Sequence, residues 1–409
     1  MPLAAPGGAL LIAAAGWHDE HPGGANKLPS DFARFLARRG HRVAYLCASA
    51  AVSEPSKTAI DGVEVWRYPS PDAPSPSVAN LRHHWRSARA IAATVHRERP
   101  IAALLGHAPL QYLGAAGACG DGPRRCYAVH SPFVEELKES VTGRPTLKQR
   151  AAWAGAALIE RRVLAISHLV HYDSAFTGRL MDRAYPAETQ GKGHVLPGWV
   201  DVGRFRVPAE PRPALRRRLG APWHPTAPTF FSLRRLVPRM GLDTLIVAAA
   251  DLARQGRSFR LIIGGEGPDR PPLEALAAAH GLGERVAFLG RVADDRLADC
   301  FGAADCFVLP TRALECFGLI VLESLACGVP VIGVPVGSIP EVMGPSLGAW
   351  IADDNDAPAL ARRMDQVLAG ELTSDPIELR HRAMEFAFDT VAARHERVLL
   401  GREAEDAVA

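Results

Sequence analysis

Short unbroken apolar runs alternate along this chain with stretches in which apolar residues recur every three or four positions. Val43-Ala-Tyr-Leu-Cys47, Ala102-Ala-Leu-Leu105, Leu261-Ile-Ile263, Val286-Ala-Phe-Leu289 and Val329-Pro-Val-Ile332 have the length of buried strands. Residues 29–39, 242–254 and 273–280 carry the spacing of amphipathic helices. Apolar strands separated by helices predict parallel sheets with crossover connections, an α/β class. The rhythm breaks at residues 208–228, where two proline-rich stretches flank a short basic one. The pattern therefore predicts an N-terminal α/β domain over 1–207, a linker over 208–228 and a C-terminal α/β domain over 229–385. A terminal helix over 386–409 is expected to pack back toward the first domain. A second proline-rich patch, 69–76, reads as a loop inside that domain. The run Ala9-Leu-Leu-Ile-Ala-Ala-Ala15 reads as a first core strand rather than a secretory leader, because no basic residue precedes it.

Composition narrows the class. A chain of 409 residues with 48% apolar content can build two or three domains of roughly 100–200 residues each. Its net charge of +3 gives no global pull on nucleic acid. Seven scattered cysteines form no Cys-x-x-Cys pair. Cys47, Cys306 and Cys327 lie in or beside apolar runs, as buried free thiols do. A reduced, cytoplasmic setting without disulfides or zinc is expected. No apolar run reaches the roughly 20 residues of a spanning helix.

The densest chemistry lies in Leu314-Glu-Cys-Phe-Gly-Leu-Ile-Val-Leu-Glu-Ser324, where seven residues separate Glu315 from Glu323. The preceding run, Cys306-Phe-Val-Leu-Pro-Thr311, reads as a buried strand ended by proline. One carboxylate then falls in a loop before a Phe-Gly turn, and the other on the helix that follows. Ligands of open α/β sheets sit at the carboxyl ends of strands. Free N–H groups and the dipole of a helix start favour an anion. Carboxylates beside such a site suit hydroxyls, so the pattern points to a sugar nucleotide.

Taken with their neighbours, these residues resemble the retaining glycosyltransferases of family 4. The resemblance is carried by Arg234-Arg-Leu-Val-Pro-Arg-Met-Gly-Leu-Asp243, Gly264-Gly-Glu-Gly-Pro268, Glu315-Cys-Phe-Gly-Leu-Ile-Val-Leu-Glu323, Gly328-Val-Pro-Val-Ile-Gly333 and Val336-Gly-Ser-Ile-Pro-Glu341, in the family's order. It implies the GT-B fold, two Rossmann-like domains with parallel sheets facing across a cleft. It also implies a nucleotide-diphosphate sugar as co-substrate, no metal or other cofactor, and a small-molecule, lipid-linked or glycan acceptor.

The resemblance further implies roles residue by residue. Arg235 would grip the diphosphate, Glu323 the ribose hydroxyls and Glu315 the donor sugar. Backbone groups of Phe317, Gly318 and Leu319 would meet diphosphate or sugar, and Gly265 would lie in the glycine turn beside them. Gly23 and Gly24 would face the donor, ahead of a helix beginning near Pro29. His130, in Val129-His-Ser-Pro-Phe133, would sit at the sugar. The family carries lysine where this chain has Met240, and Arg239, ahead of Arg234, is expected to replace it. Ser174 reads as a helix N-cap and Asp201 as a structural residue. Asp353-Asp-Asn-Asp356 reads as a helix N-terminus rather than a metal motif. The basic segment 80–99 with Trp85 reads as a solvated helix face, with weak contact to an anionic membrane surface as the alternative. Two rivals share the fold: an epimerase or phosphorylase, and a non-catalytic sugar-nucleotide binder.

Overall fold

The computed structural model describes residues 7–20, 24–71, 77–139, 141 and 143–402. They divide into two units. One holds the residues up to Gly198 together with those from Asp389 onward, and the other holds Trp199–Phe388.

Among the described residues, the first unit has a sheet of β1 (Ala9–Ala13), β2 (Val43–Ser49), β3 (Ser56–Ile60), β4 (Val63–Pro69), β5 (Ile101–Gly106), β6 (Arg124–Val129), β7 (Leu169–Tyr172) and β8 (Gly193–Val195). Their order is β3-β4-β2-β1-β5-β6-β7-β8. Every neighbouring pair is parallel except the β3–β4 hairpin, whose polar, mostly exposed β3 gave no apolar signal. β1, β2, β5, β6 and β7 are buried along their whole length, as strands covered on both faces must be. β1 pairs with β2 on one side and β5 on the other, with Leu11 opposite Ala44 and Leu104. The winding reverses there, so the switch point lies between the ends of β1 and β5.

The helix after β1 runs over Gly24–Arg38 and starts five residues before Pro29. The proline was expected to mark its beginning. Inside the helix it forgoes only the bond to the carbonyl of Ala25, which is exposed in the first turn. Residues 72–76 of the second proline-rich patch lie outside the described residues. The helix Val78–Glu98 buries Ala88, Ile91, Ala92 and Val95, so its apolar stripe belongs to the core. The helix Phe388–Leu400 docks through its last turns. Arg39 and His41 reach Glu396 at 2.7 and 2.6 Å, Arg124 Nη2 donates to the Val398 carbonyl at 3.0 Å, and the buried His395 donates to the Pro197 carbonyl at 2.9 Å.

The second unit has, among the described residues, a parallel sheet of β9 (Thr229–Leu233), β10 (Arg260–Gly264), β11 (Val286–Gly290), β12 (Cys306–Val308) and β13 (Val331–Ile332), in the order β11-β10-β9-β12-β13. Phe231 meets Phe301 and Phe307 edge to face at its centre, and Phe301 is tilted against Phe307, with ring centroids 5.4–5.8 Å apart. The stretch 208–228, expected as a linker, is part of this unit. It carries a helix, Arg212–Leu219, and Leu215, Leu219 and Trp223 join the same core. Buried Arg216 ties it down by bonds to the Ala303 and Ala227 carbonyls and to Asp305. The prolines signalled the end of one pattern and concealed a one-face helix between them.

His395 links the docked helix to pH. Burial, and after it the nearby His171, lowers its imidazole to about 3. Its unfolded value is about 6.5, so its contribution to stability is complete above pH 6.5 and is lost as pH falls toward 3. His107, likewise lowered by burial, acts in the same direction. His130 is raised and acts above pH 6.5, and Asp173 is lowered and acts below the ordinary carboxylate range. Thermal melts should therefore show stability falling from pH 6.5 to 5, by about 1.4 kcal/mol per pH unit for each neutral buried histidine. His395→Gln should flatten that slope, and an unchanged slope would count against the assignment.

Candidate functional site

In the second unit β9 pairs with β10 on one side and β12 on the other, so its switch point lies where β9 and β12 end. Three segments meet there: Arg234–Met240 after β9, the glycine turn after β10, and the loop from Leu309 to Gly318 after β12. The first two are laced together. Arg234 N donates to Gly264 O at 3.1 Å, Leu236 N to Glu266 O at 2.8 Å, and Asp269 N to Leu236 O at 3.1 Å. Gly265 is required by this closeness. Its φ is +114°, and any Cβ would overlap the Arg234 carbonyl.

Glu315 is held from two directions. Its carboxylate Oε2 accepts from Arg234 Nη2 at 2.6 Å and from Thr311 Oγ1 at 3.1 Å. Among the described residues no protein donor reaches Oε1. Its carbonyl accepts from Ser338 N at 2.8 Å and Ser338 Oγ at 3.0 Å. Gly337, at φ +65°, lets this happen, since a Cβ there would overlap the same carbonyl oxygen. Leu314, just before, is held at φ +56°, a strained conformation for a branched residue. A carboxylate nine-tenths buried beside a guanidinium of similar burial is rigid, because separating the pair strands a charge.

Gly318 ends this loop as the left-handed N-cap, φ +80°, of the helix Leu319–Ala326. A Cβ on it would meet nothing closer than Val321 at 3.5 Å, so backbone conformation, not crowding, selects glycine. The N–H groups of Phe317, Gly318 and Leu319 donate to no protein acceptor among the described residues. The first of them is steadied by the Phe317 ring, packed edge to face on Phe386 at 5.8 Å. Three free donors and the positive end of a dipole make an anion cradle. Glu323 lies in the second turn of this helix and is half-buried.

The three arginines differ. Arg235 is exposed, and its side chain meets no partner among the described residues. Arg239 Nη1 donates to the Leu314 carbonyl at 3.2 Å. The Arg234 guanidinium lies against the Met240 sulfur, at 2.8 Å from Nη2. Arg234, the other candidate to replace the lysine absent at Met240, is the cation that touches that residue.

In the first unit Gly24 is exposed at the start of its helix, and Gly23 lies outside the described residues. Asn26 and Ser30 of that helix accept from the N–H groups of Gly16 and His18 and so fix the loop after β1. His130 follows β6. Its Nδ1 is 2.8 Å from Asp173 Oδ2, and its Nε2 is 2.7 Å from Nδ1 of His107, which follows β5. Sequence reasoning missed His107 and Asp173, although each occupies the same strand-end position that singled out His130. Ser174 caps its helix by accepting from Thr177 N at 3.1 Å, Asp201 accepts from Gly203 N and Arg204 N at 3.0 Å, and Asp356 caps the helix Ala357–Leu368.

Two family descriptions match consecutive parts of the chain: "Glycosyltransferase Family 4" over residues 22–204 and "Glycosyl transferases group 1" over 218–389. The GDP-mannose-dependent alpha-(1-6)-phosphatidylinositol monomannoside mannosyltransferase of Mycobacterium tuberculosis is 31% identical over 261 residues. That match covers 61% of this chain and 66% of the relative, just under two thirds of its length. The fold is similar to that of sucrose-phosphate synthase from Thermosynechococcus elongatus, with a TM-score of 0.78 and 21% identity over 95% of this chain and 98% of that one. Anabaena HepE, solved with UDP and glucose, has a TM-score of 0.72 and 18% identity over 96% and 99%.

The glycine geometry yields a graded expectation. Gly337→Ala combines a left-handed backbone with overlap on the Glu315 carbonyl and should cost about 3 kcal/mol or more. Gly318→Ala meets only the backbone term and should cost about 1–2 kcal/mol. Denaturant unfolding of the two variants checks the order, and equal costs would contradict it.

Proposed function

The chain belongs to the GT4-type glycosyltransferases of the GT-B fold, and on that premise we propose that it moves a sugar from a nucleoside diphosphate sugar to an acceptor hydroxyl with retention of anomeric configuration. The observation that carries this reading is the helix start at Phe317–Leu319, with its unpartnered N–H groups, set between the loop carboxylate Glu315 and the helix carboxylate Glu323.

As the anomeric bond breaks, negative charge grows on the departing diphosphate. Fixed donors aimed at that charge lower the barrier. The N–H groups of Phe317, Gly318 and Leu319 would supply some of them. Arg235, exposed and uncommitted, is free to add a bidentate contact. Glu323 would accept from ribose hydroxyls. Glu315, with Oε2 tied down, would turn Oε1 to a sugar hydroxyl and stabilise positive charge at the anomeric carbon. The departing phosphate oxygen would take the acceptor's proton as the new bond forms on the same face. In the first unit His130 would meet a sugar hydroxyl, as the family resemblance implies.

The GDP-mannose dependence of the mycobacterial relative and the complex of HepE with UDP-glucose make those two nucleotide sugars the first donors to test, with lipid-linked and glycan acceptors. Met240 in place of a loop lysine suggested a binder without activity. Arg234 against the Met240 sulfur favours the enzyme, because it returns a cation to that position.

Glu323→Ala should raise the donor KM about tenfold or more with little change in kcat, as loss of a hydrogen bond to a charged group implies. Arg235→Ala should lower kcat by about a hundredfold. Steady-state transfer assays, with the product anomer read by NMR, test both. Two variants at wild-type kcat/KM, or an inverted product, would contradict the reading.

A further inference from the structure

Side chains of β4 alternate between faces, so Glu64, Trp66 and Tyr68 share one. The helix Val78–Glu98 packs on this face. Tyr68 is buried completely and Trp66 only in part. A groove of about 550 Å³ is left between the helix and the β3–β4 hairpin. That lies within the ~300–1,000 Å³ of small-molecule sites. Trp66, Ala90 and Ile91 line it, and Arg86 and Thr94 mark its ends along the helix. At 1.5 Å per residue those two lie about 12 Å apart along the axis. The Trp66 ring nitrogen is buried, so the surface this residue gives the groove is carbon.

The two ends differ in charge. At the Thr94 end, Lys57 lies over the Trp66 ring at 4.5 Å and is committed to Glu64 at 3.1 Å and Glu98 at 3.4 Å. At the other end nothing balances the cations. Arg86 and Arg82, one turn earlier, are exposed, and neither meets an ionic or hydrogen-bonding partner among the described residues. Residues 78–98 hold four arginines and a single acid, Glu98, at the far end. The basic end faces the carboxyl edge of the sheet. His83, beside Arg82, donates from Nε2 to the carbonyl of Pro69, the last residue of β4, at 2.8 Å. Ligands of an open sheet collect at that edge.

An apolar trough that ends on two unpaired guanidiniums suits one kind of molecule. A chain of methylenes would lie along Trp66, Ala90 and Ile91, each buried methylene adding up to about fourfold in affinity. An anionic head would meet the arginines, whose planar forks match phosphate oxygens. A neutral glycan gains nothing from the trough, and a free phosphate gains nothing from its walls.

We propose that this groove binds a single anionic amphiphile, its chain in the trough and its phosphate on Arg86 and Arg82, and so holds the lipid part of the acceptor. The acceptor role rests on the transfer reading given above, and the binding does not.

Isothermal titration of the full chain with dodecyl phosphate, kept below its micelle concentration, tests the binding. One molecule per chain is expected, with inorganic phosphate and dodecyl maltoside each at least tenfold weaker. Ala90→Trp, which fills the trough from an exposed position, and Arg86→Ala should each cost about tenfold or more, while Arg150→Ala, on another helix, should stay within about twofold of wild type. Melting curves report folding, and should the tryptophan variant fail to fold, Arg86→Ala carries the test. Equal affinity for dodecyl maltoside or for phosphate would overturn the proposal. So would undiminished binding to folded Ala90→Trp or to Arg86→Ala, or an equal loss in Arg150→Ala. Binding of phosphatidylglycerol vesicles without binding of the monomer is the behaviour of a bare basic surface, and it too would overturn the proposal. In transfer assays dodecyl phosphate should compete with a lipid-linked acceptor and not with the nucleotide sugar. Binding without competition would remove the acceptor role. If no sugar is transferred at all, the transfer reading falls and the titration still decides the groove.

Discussion

The Arg234 guanidinium ties the segment after β9 to the loop after β12, at 2.8 Å from the Met240 sulfur and 2.6 Å from the Glu315 carboxylate. Around this pair the loops after β9, β10 and β12 become one rigid body. The glycine turn at Gly265 backs the Arg234 carbonyl, and Gly337 and Ser338 clasp the Glu315 carbonyl. A nearly buried ion pair contributes little net stability, because desolvation offsets attraction, yet losing one partner is expensive. Its value here is placement. It fixes one oxygen of Glu315 and leaves the other for a ligand, beside a helix start whose donors are unspent.

The first unit applies a different constraint to the same problem. Its strand ends carry two hydrogen-bonded imidazoles, anchored on Asp173 and reaching inward from His130 to His107. The helix Phe388–Leu400 closes the outer end, with His395 edge-on to His171. Thus a segment remote in sequence helps to set the surroundings of this pair. In the second unit the Arg234 guanidinium restricts Glu315, and in the first the Asp173 carboxylate restricts His130, which is how a site is prearranged before substrate arrives.

Much of this was legible in the chain. Fully apolar runs announced the parallel strands, and the helix over 242–254 appears with the same bounds in the structure. Glu315, Gly318 and Gly265 were marked by motifs whose spacing follows from loop geometry. What was hidden depends on contacts distant in sequence. The β3–β4 hairpin is solvent-facing and polar, so periodicity could not mark it. The helix Arg212–Leu219 lay between prolines, with Arg216 buried by partners almost 90 residues away. Nothing local to Arg234 says that its side chain turns to Met240 and Glu315 while Arg239 turns to a carbonyl. His107 could have been flagged as the first polar residue after an apolar strand, but its bond to His130 spans two strands of the sheet.

The central claim is that the Phe317–Leu319 helix start holds a diphosphate between two acidic side chains. A crystal structure of the full chain with GDP-mannose or UDP-glucose tests it most directly. Phosphate oxygens on those N–H groups, ribose hydroxyls on Glu323 and Oε1 of Glu315 on the sugar would agree with it. A donor bound elsewhere, or one that reaches neither carboxylate, would contradict it.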